Sequence, residues 1–310
     1  MSKIEIKKIE LLDEAEAVWK KISPNESIYD DWDFRYCFYK YFNHPLRFYA
    51  GYDGEELAGL LALQYNSESK RLEFFGGSFM EDNHVFIKKR SANRSGWPAN
   101  RSGWHEEYIP KFYENINEPS RLEDICDASS FESSFDVFEY KYAADLNGLR
   151  NVDEYLAKYF KAKGRNAIKK KARSIEMLKP VIIENNYEDL DLFIELNKKR
   201  FGKESSFYKP FRHEIYHDLL NINLDIKMLT FIINGTKEAV TFGIKYKNTF
   251  VGINSGTREE AHRDLGTYIT VKKIEKAIEL GADKYDAGIE DLGWKENWHF
   301  EKIPQRIFIK

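Results

Sequence analysis

The chain has 310 residues, with 48 Lys and Arg against 51 Asp and Glu, a formal net charge of −3 and 42% apolar residues. That length suits one large domain or two ordinary ones with packed cores, and two is the expectation. A near-neutral, mixed-sign balance gives no global reason to expect nucleic acid or a membrane surface, so partners must be read locally.

The first stretch, "MSKIEIKKIELLDEAEAVWKK", alternates apolar and polar residues and then turns helical. It has no apolar run long enough for a signal peptide or a membrane span, so the expected location is cytoplasmic. Helical spacing follows over Asp13 to Ile22 and Trp32 to Phe42. "FYAGYDGEELAGLLALQY" then sets Asp53-Gly54 between two apolar runs, which predicts a hairpin with a two-residue turn. The two cysteines, Cys37 and Cys126, have no metal-type spacing, suit a reducing compartment and are expected as buried apolar side chains.

The same order recurs in the second half. Helical spacing over Tyr187 to Arg200 and Phe211 to Leu220 precedes "TFIINGTKEAVTFGIKYKNTFVGINSG", where Asn234-Gly235 takes the turn. Aligned on the turns, Ala58 falls on Ala239 and Tyr65 on Tyr246. Helices followed by meandering strands, twice over, predict an α+β fold, with the boundary in "NEPSRLEDICDASSFESS" near Ser130.

Only the second copy continues into "HRDLGTYITVKKIEKAIELGADKYDAG". Val271, Ile274, Ala277, Ile278 and Leu280 mark the apolar face of a helix stopped by Gly281, and "DKYDAGI" is the next strand. At the helix mouth Arg263, Asp264, Leu265, Gly266, Thr267 and Tyr268 read R-x-x-G-x-Y. The first amides of a helix lack intrahelical partners and lie at the positive end of its dipole. Gly266 leaves room for a phosphate and Arg263 can pair with one, so the segment is a candidate anion site.

These residues resemble the GNAT acyltransferase superfamily, whose acyl-CoA pyrophosphate lies on a Q/R-x-x-G-x-G/A loop. Tyr268 stands where many members carry Gly or Ala. The tail, with Ala277, Gly281, Asp286, Gly288, Trp294, Lys295 and Trp298, resembles the CelD-like (cellulose-biosynthesis type) acetyltransferases and their Fem-type peptidoglycan relatives, which show an A-x-x-x-G helix end, a D-x-G strand and an aromatic-Lys-x-x-Trp helix. "YFKAKGRNAIKKKARSIE" is similar to the family's basic segment opening the second half. The resemblance implies tandem GNAT-like modules, residues 1–130 and 131–310, each a mostly antiparallel mixed sheet flanked by helices, the first degenerate and the second carrying the acyl-donor site.

It also implies an acyl-CoA-dependent N-acyltransferase, with acetyl-CoA or another acyl-CoA as co-substrate and an amine of a small molecule, sugar, glycan precursor, amino acid or peptide as acceptor. The alternatives are a Fem-type transferase using aminoacyl-tRNA and a non-catalytic binding protein of the same fold. Aminolysis of a thioester needs a proton acceptor for the amine and positive charge for the oxyanion and thiolate. Asp286 and Glu290 are candidates for the first, Lys295 between Trp294 and Trp298 for the second.

Three features stand apart. "HEIYH", His213 to His217, has the H-E-x-x-H spacing that puts two histidines on one helix face, but no recognised downstream motif supplies a third ligand and no metal is expected. "ANRSGWPANRSGW", Ala92 to Trp104, repeats six residues around Pro98 and reads as a loop. The run from Lys158 to Arg173 holds eight cations and no acid, as expected of a basic solvated face.

Overall fold

The computed structural model describes residues 4–88, 106–126, 129–289 and 293–310. It divides into two compact units, Met1–Tyr140 with Pro304–Lys310, and Lys141–Ile303. The Ala92 to Trp104 repeat and Glu290 lie outside the described residues.

The first unit holds β1 (Glu5–Ile9), α1 (Leu12–Ile22), α2 (Trp32–Tyr39), β2 (Leu46–Asp53), β3 (Glu56–Asn66), β4 (Arg71–Phe74), β5 (Phe86–Ile87), α3 (Ile109–Glu114), β6 (Arg121–Ile125) and the first half of β7 (Asp136–Asp145). In α1, Ala15, Val18, Trp19 and Ile22 recur at helical spacing and are buried, with acids in the first turn and lysines in the last complementing the dipole. Trp19 anchors this core. Its ring meets Phe86 edge-on at 4.7 Å and its indole N–H donates to the Asp30 carbonyl at 2.9 Å. Strands β1 to β4 form an antiparallel sheet in sequence order. Gly51 and Gly59 pair across β2 and β3, and a Cβ on either would stand 2.6 Å from the Phe112 ring. Of the two cysteines, Cys37 is buried, whereas Cys126 is part-buried with its Sγ 3.5 Å from His84 Nδ1.

The second unit takes the end of β7 and adds α4 (Val152–Tyr159), α5 (Ala162–Glu176), β8 (Val181–Glu184), α6 (Leu190–Phe201), α7 (Arg212–Leu219), β9 (Asp225–Ile233), β10 (Thr236–Tyr246), β11 (Thr249–Thr257), α8 (Leu265–Glu279) and β12 (Lys284–Asp286). The last strand, β13 (Glu301–Ile309), begins here and ends in the first unit, where Phe308 pairs with Leu122 of β6. Strands β8 to β11 again pair antiparallel in sequence order, and β12 adds to β11 in parallel. The succession strand, helix, helix and three antiparallel strands thus occurs twice, as α+β periodicity predicted. Among the described residues the first copy has no counterpart of the fifteen-residue α8; its helix α3 has six residues.

The hairpins correct the sequence alignment by one residue. In the second, Ile233 pairs with Thr236 around Asn234-Gly235, both with positive φ. In the first, Asp53 pairs with Glu56, so the turn is Gly54-Glu55 and not Asp53-Gly54, with positive φ at Gly54 but not at Glu55. Bulges fix the correspondence: Ala58 is the extra residue of β3 and Glu238 that of β10. Ala58 therefore matches Glu238, and Gly59 matches Ala239.

Three helix predictions also change. Helix α2 stops at Tyr39, short of Phe42. The basic segment is helical only from Ala162, because Phe160 adopts an extended conformation (φ −117°, ψ 140°) that ends α4, its ring buried in one cluster with Tyr155 and Leu156. The aromatic-Lys-x-x-Trp segment is a single 3-10 turn, Glu296–Trp298, ended by His299 in the left-handed region. Among the described residues no helix is long and apolar enough to cross a membrane.

Candidate active site

Helix α8 is held from both sides, which fixes where its N-terminus points. Leu265, Tyr268 and Ile269 pack with Ile175 of α5 and Phe231 of β9, whereas Val271, Ile274 and Ala277 pack with Phe250 of β11 and Tyr285 of β12. The Leu265 amide donates to the His262 carbonyl at 2.8 Å and that of Tyr268 to Asp264 at 3.1 Å. Between them, the amides of Gly266 and Thr267 have no acceptor among the described residues. Gly266 is exposed and a Cβ there meets nothing within 4 Å, so an approaching anion finds two donors and open space. Arg263 is exposed beside them. The side chain of Tyr268 is committed to the core, its ring edge-on to Phe231 and capped by the Lys272 ammonium at 5.2 Å. Asp264 does not cap the helix; its carboxylate accepts from Ser174 of α5 at 2.8 Å.

The strand leading to this helix is open on one side. Parallel pairing of β11 with β12 covers only Thr249 to Val251, and among the described residues the strand beyond Val251 pairs with β10 alone. A bulge lies in that free segment: Phe242 pairs with Asn254 and Gly243 with Gly252, leaving Ile253 as the extra residue. The bulge reverses the alternation of faces. Before it, Phe250 and Gly252 face Tyr285 and the α8 side. After it, Asn254 faces α6, where its Oδ1 accepts from Asn197 at 3.0 Å, and Ser255 faces α8.

Ser255 meets Lys273 of α8, whose ammonium donates to its hydroxyl at 2.7 Å. Lys273 is only partly buried as a residue, yet burial of its charged end, reinforced by the nearby Lys295 cation, lowers its pKa from the ordinary 10.5 to about 8. Burial disfavours the charged form of a lysine, so a sizeable neutral fraction exists near neutral pH. Lys295 is itself 4% exposed, donates to the Gly288 carbonyl at 2.8 Å, and lies 5.4 Å from the Tyr142 ring and 5.9 Å from that of Trp294. Asp286 is buried with both oxygens engaged, one by the Lys141 ammonium at 2.7 Å and the other by the Gly288 amide at 2.9 Å. Burial, with Asp286 next to it in sequence, raises the Tyr285 hydroxyl above the usual phenol range.

The predicted residues thus fall into two groups of the same unit. Arg263 to Tyr268 stand at the mouth of α8, while Asp286 is the last residue of β12 and Lys295 follows that strand. Lys273 and Ser255 complete the second group and were not legible as site residues, because hydropathy reads a lysine as solvated and no spacing marks a bulge. A cavity of about 400 Å³ lies elsewhere, in the first unit, lined in part by Arg47, Tyr49 and Glu118. The Arg47 and Glu118 charges already pair at 2.9 Å, which leaves that cavity without a free charge from this pair.

Residues 162–296 match the family model of the acetyltransferase (GNAT) domain. The solved structure of FemX superposes with a TM-score of 0.62 at 12% identity, over 98% of this chain and 97% of that one. L-PGS from Bacillus licheniformis superposes with a TM-score of 0.59 at 9% identity, over 98% and 93%. At these identities the likeness speaks for the fold alone. No curated protein matches the sequence. The matched interval runs from α5 through Glu296, less than half of the chain and all within the second unit, and this likeness supports an N-acyltransferase.

Proposed function

We propose that the protein transfers an acyl group, acetyl first among them, from acyl-CoA to an amine of a small molecule, sugar, amino acid or peptide. The observation that carries this reading is the pair of amides at Gly266 and Thr267 without an acceptor among the described residues, downstream of the part of β11 that has β10 as its one described neighbour. The donor's pyrophosphate takes those amides, with Arg263 against a phosphate oxygen. Its acyl arm runs along the free edge of β11, where backbone groups of a strand without a neighbour can bind an extended chain. The N-terminal unit serves as a degenerate module of the same type, with the boundary near residue 130.

Chemistry follows from the lysine group. The acceptor amine attacks the thioester carbonyl, forming the C–N bond, and the tetrahedral intermediate expels CoA thiolate. The proton lost by the amine passes, directly or through one water, to neutral Lys273, whose lowered pKa suits a base at physiological pH. Lys295, buried against two aromatic rings, supplies positive charge that strengthens as the oxyanion develops in a low-dielectric site. Asp286, tied to Lys141 and the Gly288 amide, sets the turn that delivers Lys295 and acts as a positioning residue. Glu290 stays a candidate base from sequence alone.

A second reading, transfer from aminoacyl-tRNA as in Fem-type enzymes, draws on α5. Lys170 and Lys171 lie one turn before Ser174, whose hydroxyl reaches Asp264 at the donor helix, so an exposed basic stripe continues from the anion site. One experiment separates the two. The purified chain is incubated with acetyl-CoA and an amine library while thiol release and product mass are followed, and aminoacyl-tRNA is supplied in parallel. Acetyl-CoA binding with acceptor-dependent thiol release supports the first reading. Turnover confined to aminoacyl-tRNA replaces it with the second, and donor binding without turnover on any amine leaves a binding protein.

A further inference from the structure

The H-E-x-x-H pair acquires a third partner that no downstream motif announced. His213 and His217 stand four residues apart on α7, their rings 4.5 Å apart at the centroids. Both Nε2 atoms converge on one oxygen of Asp191 in the first turn of α6, His213 at 2.8 Å and His217 at 3.0 Å. One donor atom from each of the three residues lies within 4.8 Å of the others. All three side chains are open to water, at 48%, 43% and 70% exposure, so an ion can enter and keep water in its remaining positions.

We propose that Asp191, His213 and His217 bind a divalent first-row transition-metal ion, Zn(II) foremost, which clamps α7 to α6. Two imidazoles and a carboxylate are the borderline-to-hard set that Zn(II), Co(II), Ni(II) and Cu(II) favour over Mg(II) or Ca(II). Metal–ligand bonds of about 2.0 to 2.2 Å set ligand atoms about 3.3 Å apart in a tetrahedron, so the two histidine contacts with Asp191 need to open by only a few tenths of an ångström. Water fills the fourth position. Glu214, the glutamate of the motif, is exposed and is not one of the three converging groups, so the geometry carries binding and not the metalloprotease arrangement the spacing alone suggests. The site belongs to a part of the unit separate from the lysine group: Asn197 of α6 reaches Asn254 of β11 on the face opposite Ser255.

The test uses the full chain stripped with chelator, then titrated with Co(II) for its d–d absorption and with ZnCl2 by calorimetry. One ion per chain is expected, with a dissociation constant on the order of micromolar. Single His213→Ala and His217→Ala variants should weaken it at least about tenfold, and the double variant should abolish it. The melting temperature of the parent should rise by a few degrees in saturating Zn(II) and that of the double variant should not. His217→Gln, close to histidine in size, replaces alanine if the latter does not fold. His44, His84, His105, His262 and His299 remain in every variant, so saturable binding retained by the double variant places the ion elsewhere and overturns the proposal. Absence of saturable binding up to roughly millimolar ion overturns it as well.

Discussion

Lys273→Met separates a base from a structural lysine, because the two roles predict opposite changes in stability. The side chain keeps its length and loses its charge. A lysine whose pKa falls on folding costs stability wherever the unfolded chain still holds the proton. That cost is full below about 8 and vanishes above the ordinary 10.5, so the parent gains stability as pH rises through this window. At about 1.4 kcal/mol per pKa unit, the cost at pH 7 is on the order of 3 kcal/mol. The lost bond to Ser255 takes back roughly 1 kcal/mol. The variant should therefore be more stable than the parent by about 2 kcal/mol at pH 7, with the difference shrinking to near zero by about pH 9.5. Urea unfolding of both proteins at the two pH values measures it.

Activity should move the other way. At pH 7.5 a lysine of pKa about 8 is roughly one-quarter neutral, against about one part in a thousand for an ordinary one. Parent kcat/KM should rise with pH to a plateau with its midpoint near 8, and the variant should lose about a hundredfold or more without that midpoint. A variant less stable than the parent at pH 7, or one that retains the pH profile, refutes the assignment.

Other positions make independent claims. Gly266→Val adds a branched side chain where a Cβ meets nothing, so the fold should hold while calorimetric CoA affinity drops tenfold or more, about 1.4 kcal/mol; unchanged affinity moves the donor elsewhere. Lys295→Met should lower kcat about a hundredfold to a thousandfold with CoA binding nearly intact, and turnover within about threefold of the parent removes it from the mechanism. Asp286→Asn breaks the buried ion pair with Lys141, so it should destabilise by about 3 to 5 kcal/mol in urea melts; a loss below about 1 kcal/mol contradicts the pairing.

Much of the fold was legible because it rests on local patterns. Trp19 and its neighbours sit at helical spacing, Asn234-Gly235 has the two positive φ values its turn requires, and Gly281 ends the helix as a left-handed cap. What failed locally failed for tertiary reasons. The Asp53-Gly54 dipeptide looks like a turn, but pairing of Asp53 with Glu56 shifts the loop by one residue, and the periodicity of neither strand reveals the bulges that keep both hairpins in step. Asp191 was invisible as a partner of His213 because the two are joined by the packing of α6 on α7 and not by spacing.

The lysine group marks where sequence reading stops. Along α8, Thr270, Lys273, Lys276 and Ala277 form a stripe beside the apolar face, and a hydropathy pattern assigns its two lysines to water. Lys276 instead lies buried and pairs with Glu184 at 2.6 Å and Glu279 at 2.7 Å, so its charge is matched and its pKa is raised, even though burial, the largest influence on it, pulls the other way. Lys273, one turn closer to the mouth, receives a hydroxyl where Lys276 receives two carboxylates. That hydroxyl is there because Ile253 is an extra residue; without the bulge, strand alternation would turn Asn254 toward α8 and Ser255 toward α6. A single inserted residue on β11 thus decides which side chain meets Lys273. Burial and the Lys295 cation lower the pKa of that lysine, while its neighbour one turn on serves as an ordinary ion-pair partner.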